Sequence, residues 1–141
     1  MSFAFVFAGQ GSQSVGMLGA LAAANPVVRA TFEEASGVLG YDLWKLVSEG
    51  PEASLNATER TQPAMLAAGV AVWRTWCARG GARPALVAGH SLGEFTALTC
   101  AGALDFAATV ELVRFRGQVM QEAVPVEIGR ASCRERVLLW V

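Results

Sequence analysis

The apolar positions of this chain follow two periods. Phe3 to Phe7 and Ala85 to Ala88 are short apolar runs, each closed at a glycine, and read as buried parallel strands. The rest is helix-periodic. Met17 to Ala24 predicts a short helix ending at Asn25-Pro26, and Pro26 opens a second helix where its missing N–H costs nothing. Val28, Phe32, Ala35 and Leu39 share one face of it, and Gly40 ends it. Asp42 caps a short helix through Val47. Thr61 is expected to cap the longest helix, with Pro63 in its first turn and Met65, Ala68, Val72 and Trp76 along one face, ended by Gly80-Gly81. Leu92 to Ala101 predicts a buried helix. Asp105 caps a last one to about Glu122, with Phe106, Val110, Val113, Gly117 and Met120 on one face. Strand, helices, strand, helices argues for an α/β layered fold, and two strands leave its sheet incomplete.

Composition narrows the class. The chain of 141 residues is 53% hydrophobic and 16% charged, enough for a sizeable core and unlike a disordered segment. Net charge is −1 with no basic stripe, so no nucleic-acid partner is expected. No run approaches the ~18 apolar residues of a membrane span, and Phe3 to Phe7 lacks the basic lead-in of a signal peptide, so neither membrane nor export is expected. Cys77, Cys100 and Cys133 form no disulfide framework and no metal spacing; a cytoplasmic home and no metal site are the expectation.

The chemistry concentrates at two strand ends. Gly89-His90-Ser91-Leu92-Gly93 has Gly-x-Ser-x-Gly spacing between a strand and a helix, the nucleophile elbow, in which the serine projects from a tight turn beside a helix start. Gly9-Gln10-Gly11-Ser12-Gln13 follows the first strand, where α/β sheets open their ligand crevice; it has neither phosphate-loop nor dinucleotide-loop spacing. His90 is the single histidine, but successive side chains around an elbow diverge, so it shapes the pocket instead of serving Ser91 as base. Glu94, one turn into the helix, reads as a buttress. Without further context Arg116 is a solvated helix charge, and so is Arg114.

Four stretches in order change that reading. Phe5-Val6-Phe7-Ala8-Gly9-Gln10-Gly11-Ser12-Gln13, Thr61-Gln62-Pro63-Ala64, Gly89 to Glu94, and Arg116-Gly117 followed by Met120 to Pro125 resemble the malonyl-CoA:acyl-carrier-protein transacylases of fatty acid synthesis, in register from about Phe3 to Pro125. Ala8 departs from the family's usual proline. The resemblance implies a hydrolase-like α/β parallel sheet layered with helices. It implies Ser91 as nucleophile and carrier of a malonyl ester, the N–H groups of Gln10 and Leu92 as oxyanion hole, and Arg116 as clamp for the malonyl carboxylate, with Gly9, Gly11, Gly89, His90 and Gly93 as supporting pocket residues. It further implies malonyl-CoA and the phosphopantetheine thiol of acyl carrier protein as substrates, no permanently bound cofactor, and a monomeric full-length enzyme.

The same resemblance makes 1–126 the N-terminal part of the large acyltransferase subdomain. The family's ferredoxin-like subdomain and its downstream catalytic histidine are expected to be missing, leaving an inactive fragment. Residues 127–141 change character, with Arg130, Arg134 and Arg136 close together, and Glu127 to Val137 resembles translated sequencing adapter, so a foreign tail is expected. Three other readings compete: an α/β serine hydrolase, which explains the elbow but neither the Gln10 loop nor Arg116; an acyltransferase domain of a polyketide synthase; and an inert fragment or docking module.

Overall fold

The computed structural model describes residues 2–123 and 137–140. Its sheet begins with β1 (Ala4–Phe7) and β2 (Leu86–Gly89), which pair in parallel with Phe7 opposite Gly89. A third strand, β3 (Val137–Trp140), pairs antiparallel to β2 on its other edge, Gly89 opposite Val137. The all-parallel expectation therefore holds for the first two strands and not for the third. A strand edge presents unpaired N–H and C=O groups, and the apolar run Val137 to Trp140 satisfies them along β2. Most of the expected foreign tail, 127–136 and 141, lies outside the described residues.

The helices are α1 (Gly19–Ala24), α2 (Pro26–Leu39), α3 (Leu43–Glu49), α4 (Glu52–Leu55), α5 (Thr58–Ala78), α6 (Leu92–Cys100) and α7 (Phe106–Ala123). Their signals act as the sequence suggests in several places. Pro26 is the first residue of α2, and Gly40 ends that helix in the left-handed region at φ 76°. The Asp42 carboxylate accepts the Lys45 N–H, and Asp105 accepts that of Ala108 at the start of α7. Among the described residues no helix is long and apolar enough to cross a membrane.

α5 corrects two expectations. It starts at Thr58, one turn earlier than the Thr61 cap predicts, because the unpredicted α4 turns the chain into it. Thr61 lies inside the helix, buried, and its hydroxyl donates back to the carbonyls of Leu55 and Ala57. Pro63 is thus interior too. The buried face runs through Ala64, Ala67, Ala68, Ala71 and Thr75, while Val72 and Trp76 are partly exposed. Trp76 instead packs edge-on against Phe3 and Phe5 of the β1 segment.

The main core lies between α2, α3, α5 and α7, with Phe32, Leu43, Leu55, Leu66 and Val110 fully buried. Each such side chain contributes about 1.5–3 kcal/mol of burial. A smaller cluster of Phe7, Val87 and Ala97 seats α6 against the sheet. α6 is less buried than expected: Leu92, Gly93, Thr96 and Ala97 are buried, and the rest of it is not. On α7, Phe106, Val110, Val113 and Gly117 are buried as predicted, whereas Met120 is exposed.

Candidate active site

Two strand ends and three helices, α5, α6 and α7, converge on one turn. Because Phe7 and Gly89 are paired neighbours, the loops leaving β1 and β2 start side by side. Gly9 shows how close they run: a Cβ there would lie 2.9 Å from the His90 carbonyl oxygen. The turn itself requires its glycines. A Cβ on Gly89 would overlap the Gly93 carbonyl, and one on Gly93 would overlap the carbonyl of Phe7. Only with both bare can α6 start directly against the sheet.

Between them Ser91 adopts φ 54° and ψ −112°, one of two non-glycine residues with positive φ among the described residues. Such a backbone costs of order 1–3 kcal/mol and persists only where the surroundings impose it. The turn is held by Gly93 N–H on the His90 carbonyl and Glu94 N–H on the Ser91 carbonyl. Leu92 opens α6, so its N–H has no acceptor within the helix. Gln10 sits as far beyond β1 as Leu92 does beyond β2, and its side-chain Nε2 donates to Thr58 Oγ1 at 3.2 Å, tying the loop to the start of α5. Gly11 is exposed, at φ 110°, and its N–H donates to Gln13 Oε1. Gln13 in turn donates to Asn56 just before α5.

Arg116 reaches this turn from the middle of α7. Its Nη2 donates to Ser91 Oγ at 3.0 Å and its Nη1 to Gln62 Oε1 at 2.9 Å. Its Cζ lies 5.5 Å from the centre of the Phe95 ring. A guanidinium can only donate, so Ser91 is paired here with a group that cannot take its proton. Arg116 is half-buried and Arg114 lies elsewhere on the helix, with its Nε buried and unpartnered. His90 is exposed at the lip of the turn, and Glu94 is half-buried in the first turn of α6.

Gln62 has a role that the spacing of the sequence did not announce. It is fully buried, 0% exposed, and besides holding Arg116 it donates from Nε2 to Met120 Sδ at 3.2 Å. The available signal was a polar side chain at the border of an apolar stretch, Pro63 to Ala68, which has to find a partner if buried. α7 comes close enough to α5 for this contact because Gly117 is bare: a Cβ there would lie 2.7 Å from Glu59 Cα and from the Thr58 carbonyl oxygen. Among the described residues no cluster of three His, Cys, Asp or Glu could hold a metal ion.

Comparison with known proteins places the chain in a family. Residues 4–137 match the family model described as the acyl transferase domain. A malonyl CoA-acyl carrier protein transacylase of Salmonella typhimurium is 61% identical over 130 residues, 92% of this chain and 42% of the relative. A malonyl-transacylase solved in complex with a type II PKS acyl-carrier protein is 62% identical, with TM-score 0.87 over 89% of this chain and 40% of that one. An acyl carrier protein S-malonyltransferase from Vibrio cholerae is 60% identical, with TM-score 0.88 over 90% and 42%. The chain therefore spans about two fifths of the length of these proteins.

Proposed function

The chain belongs to the acyl transferase domain family, and on that footing we propose that it forms the nucleophile-bearing part of a malonyl-CoA:acyl-carrier-protein transacylase. Ser91 Oγ attacks the thioester carbonyl of malonyl-CoA, the C–S bond breaks, and the malonyl group rests on Ser91 as an ester. The phosphopantetheine thiol of acyl carrier protein then attacks that ester and takes the malonyl group, returning Ser91 to its hydroxyl form. No cofactor needs to stay bound for either step. The N–H groups of Leu92 and Gln10 receive the negative charge that develops on the carbonyl oxygen. Fixed donors of this kind are typically worth ~2.7–4 kcal/mol each to the transition state.

One observation carries the reading: a guanidinium on Ser91 Oγ at 3.0 Å, held in place by a buried glutamine. A simple esterase has no use for a cation there. A malonyl group does, because its free carboxylate lies one methylene from the carbonyl that the serine attacks, and guanidinium pairs with carboxylate in a planar fork.

The test uses a chimaera in which residues 1–126 replace the matching segment of the Salmonella typhimurium relative. Malonyl and acetyl transfer to acyl carrier protein are measured with and without Arg116→Ala. The substitution is expected to lower malonyl transfer ~100-fold or more, the scale of a lost charge-assisted contact at a reacting group, and to spare acetyl transfer. Equal loss on both substrates would contradict the clamp, and a chimaera inactive with Arg116 in place would contradict the proposed function.

A further inference from the structure

The guanidinium of Arg116 holds the nucleophile directly. Nη2 is on Ser91 Oγ and Nη1 is on Gln62 Oε1. The Gln62 amide is fixed in one sense, because Arg116 only donates: the oxygen must face Arg116, which leaves Nε2 for the Met120 sulfur. Met120 lies one turn beyond Arg116 on the same helix, so α7 supplies both ends of the clamp that grips Gln62. With Nη1 committed to a fully buried partner, Arg116 has little freedom to move away from Ser91.

A serine oxygen that accepts from a guanidinium has a lone pair occupied and its electron density drawn toward the cation, so it is a poorer nucleophile. An ionised carboxylate is a better acceptor for that N–H than a neutral hydroxyl. We propose that the carboxylate of an incoming acyl group displaces Ser91 Oγ from Arg116 Nη2, so that a carboxylate-bearing substrate frees its own nucleophile while one without it leaves Ser91 tied. This rests on the reading of Arg116 as the malonyl clamp and adds to it that selection acts on the acylation step as well as on binding. The freed Oγ forms its bond to the thioester carbon as the C–S bond breaks; the hydroxyl proton ends on the departing sulfur, and Arg116 keeps all of its protons.

The inference is tested by binding of malonamate, which has the malonyl carboxylate and carbonyl but cannot acylate a serine, with acetamide as the uncharged control. NMR titration of the 141-residue chain compares wild type with Ser91→Ala, Ser91→Gly and Arg116→Ala. Ser91→Gly is included because glycine accepts the positive φ of this position, which guards against a variant that fails to fold. Removing the competing oxygen is expected to tighten malonamate by about 3- to 10-fold in both serine variants, the worth of one hydrogen bond to a charged group less its replacement. Acetamide should not respond, and Arg116→Ala should abolish malonamate binding. Unchanged affinity in both serine variants, with binding still lost in Arg116→Ala, would overturn the competition while leaving the clamp standing, since the carboxylate would then be using the Nε edge. Undiminished binding in Arg116→Ala would overturn the clamp and the inference together.

Discussion

Gln62 Oε1 accepts the Arg116 Nη1 hydrogen bond at 2.9 Å, and this contact ties the second turn of α5 to the centre of α7. It is the fixed point from which Arg116 reaches Ser91. Gln62→Leu removes the acceptor with similar bulk, so the guanidinium should lose its orientation. In the chimaera the malonyl-to-acetyl ratio of kcat/KM is expected to fall about 10-fold, or ~1.4 kcal/mol. Gln62→Glu puts a carboxylate in the place of the amide; it would itself pair with Arg116, and should raise KM for malonyl-CoA with less effect on acetyl-CoA. Steady-state kinetics on both thioesters check this, and an unchanged ratio in Gln62→Leu would show that Arg116 needs no such support.

Gly117→Ala tests the close crossing of α5 and α7. Its Cβ would meet backbone atoms of Thr58 and Glu59, which cannot rotate away. Forced overpacking of this kind costs ~1–3 kcal/mol. Chemical denaturation should show that loss, and malonyl preference should drop with it as Arg116 moves off Gln62. Wild-type stability would mean that the helices part at no cost.

The cysteines should differ in reactivity. Cys77 is exposed, whereas burial pushes the Cys100 thiol up to about 12, with Cys77 adding to the shift and Arg74 opposing it. Thiolate is the reactive form. Near pH 8 a disulfide reagent should therefore modify Cys77 readily and leave Cys100 intact until the chain is denatured, which peptide mapping by mass spectrometry can follow. Raising the pH toward 11 on the folded chain should begin to expose Cys100 to reaction. Equal labelling of both residues at pH 8 would contradict the burial.

The 141-residue polypeptide on its own should transfer malonyl groups poorly. A serine hydroxyl is a weak nucleophile until a base takes its proton, and its partner here, Arg116, cannot do so. The sole histidine is His90, next in sequence to Ser91 and exposed at the lip of the turn. Malonyl-carrier protein formation by this chain is expected at least ~100-fold below that of the chimaera, the lower end of what general base catalysis contributes. Comparable rates would show that the chain supplies its own base.

Where local chemistry decides structure, the sequence was readable. Pro26, Gly40, Asp42 and Asp105 set helix ends through their own backbone and side-chain bonds, and each acts where the pattern puts it. The elbow was legible because Gly89 and Gly93 answer to a steric need inside one short stretch. Thr61 misled because a threonine can bond backwards to carbonyls as well as cap, and α4 decided which. Val72 and Trp76 follow helical spacing, yet the face of α5 that is buried depends on how α2 and α7 pack, and no local period records that. The Gln62–Arg116 contact joins residues 54 positions apart, and the third strand pairs with β2 across a similar separation; local periodicity records neither pairing.

The most direct test of the central claim is mass spectrometry of the chimaera after brief exposure to malonyl-CoA. One malonyl group, mapped to the peptide carrying Ser91, lost on addition of acyl carrier protein and absent in Ser91→Ala, is the predicted result. Transfer that proceeds without any adduct on Ser91, or that survives Ser91→Ala, would contradict it.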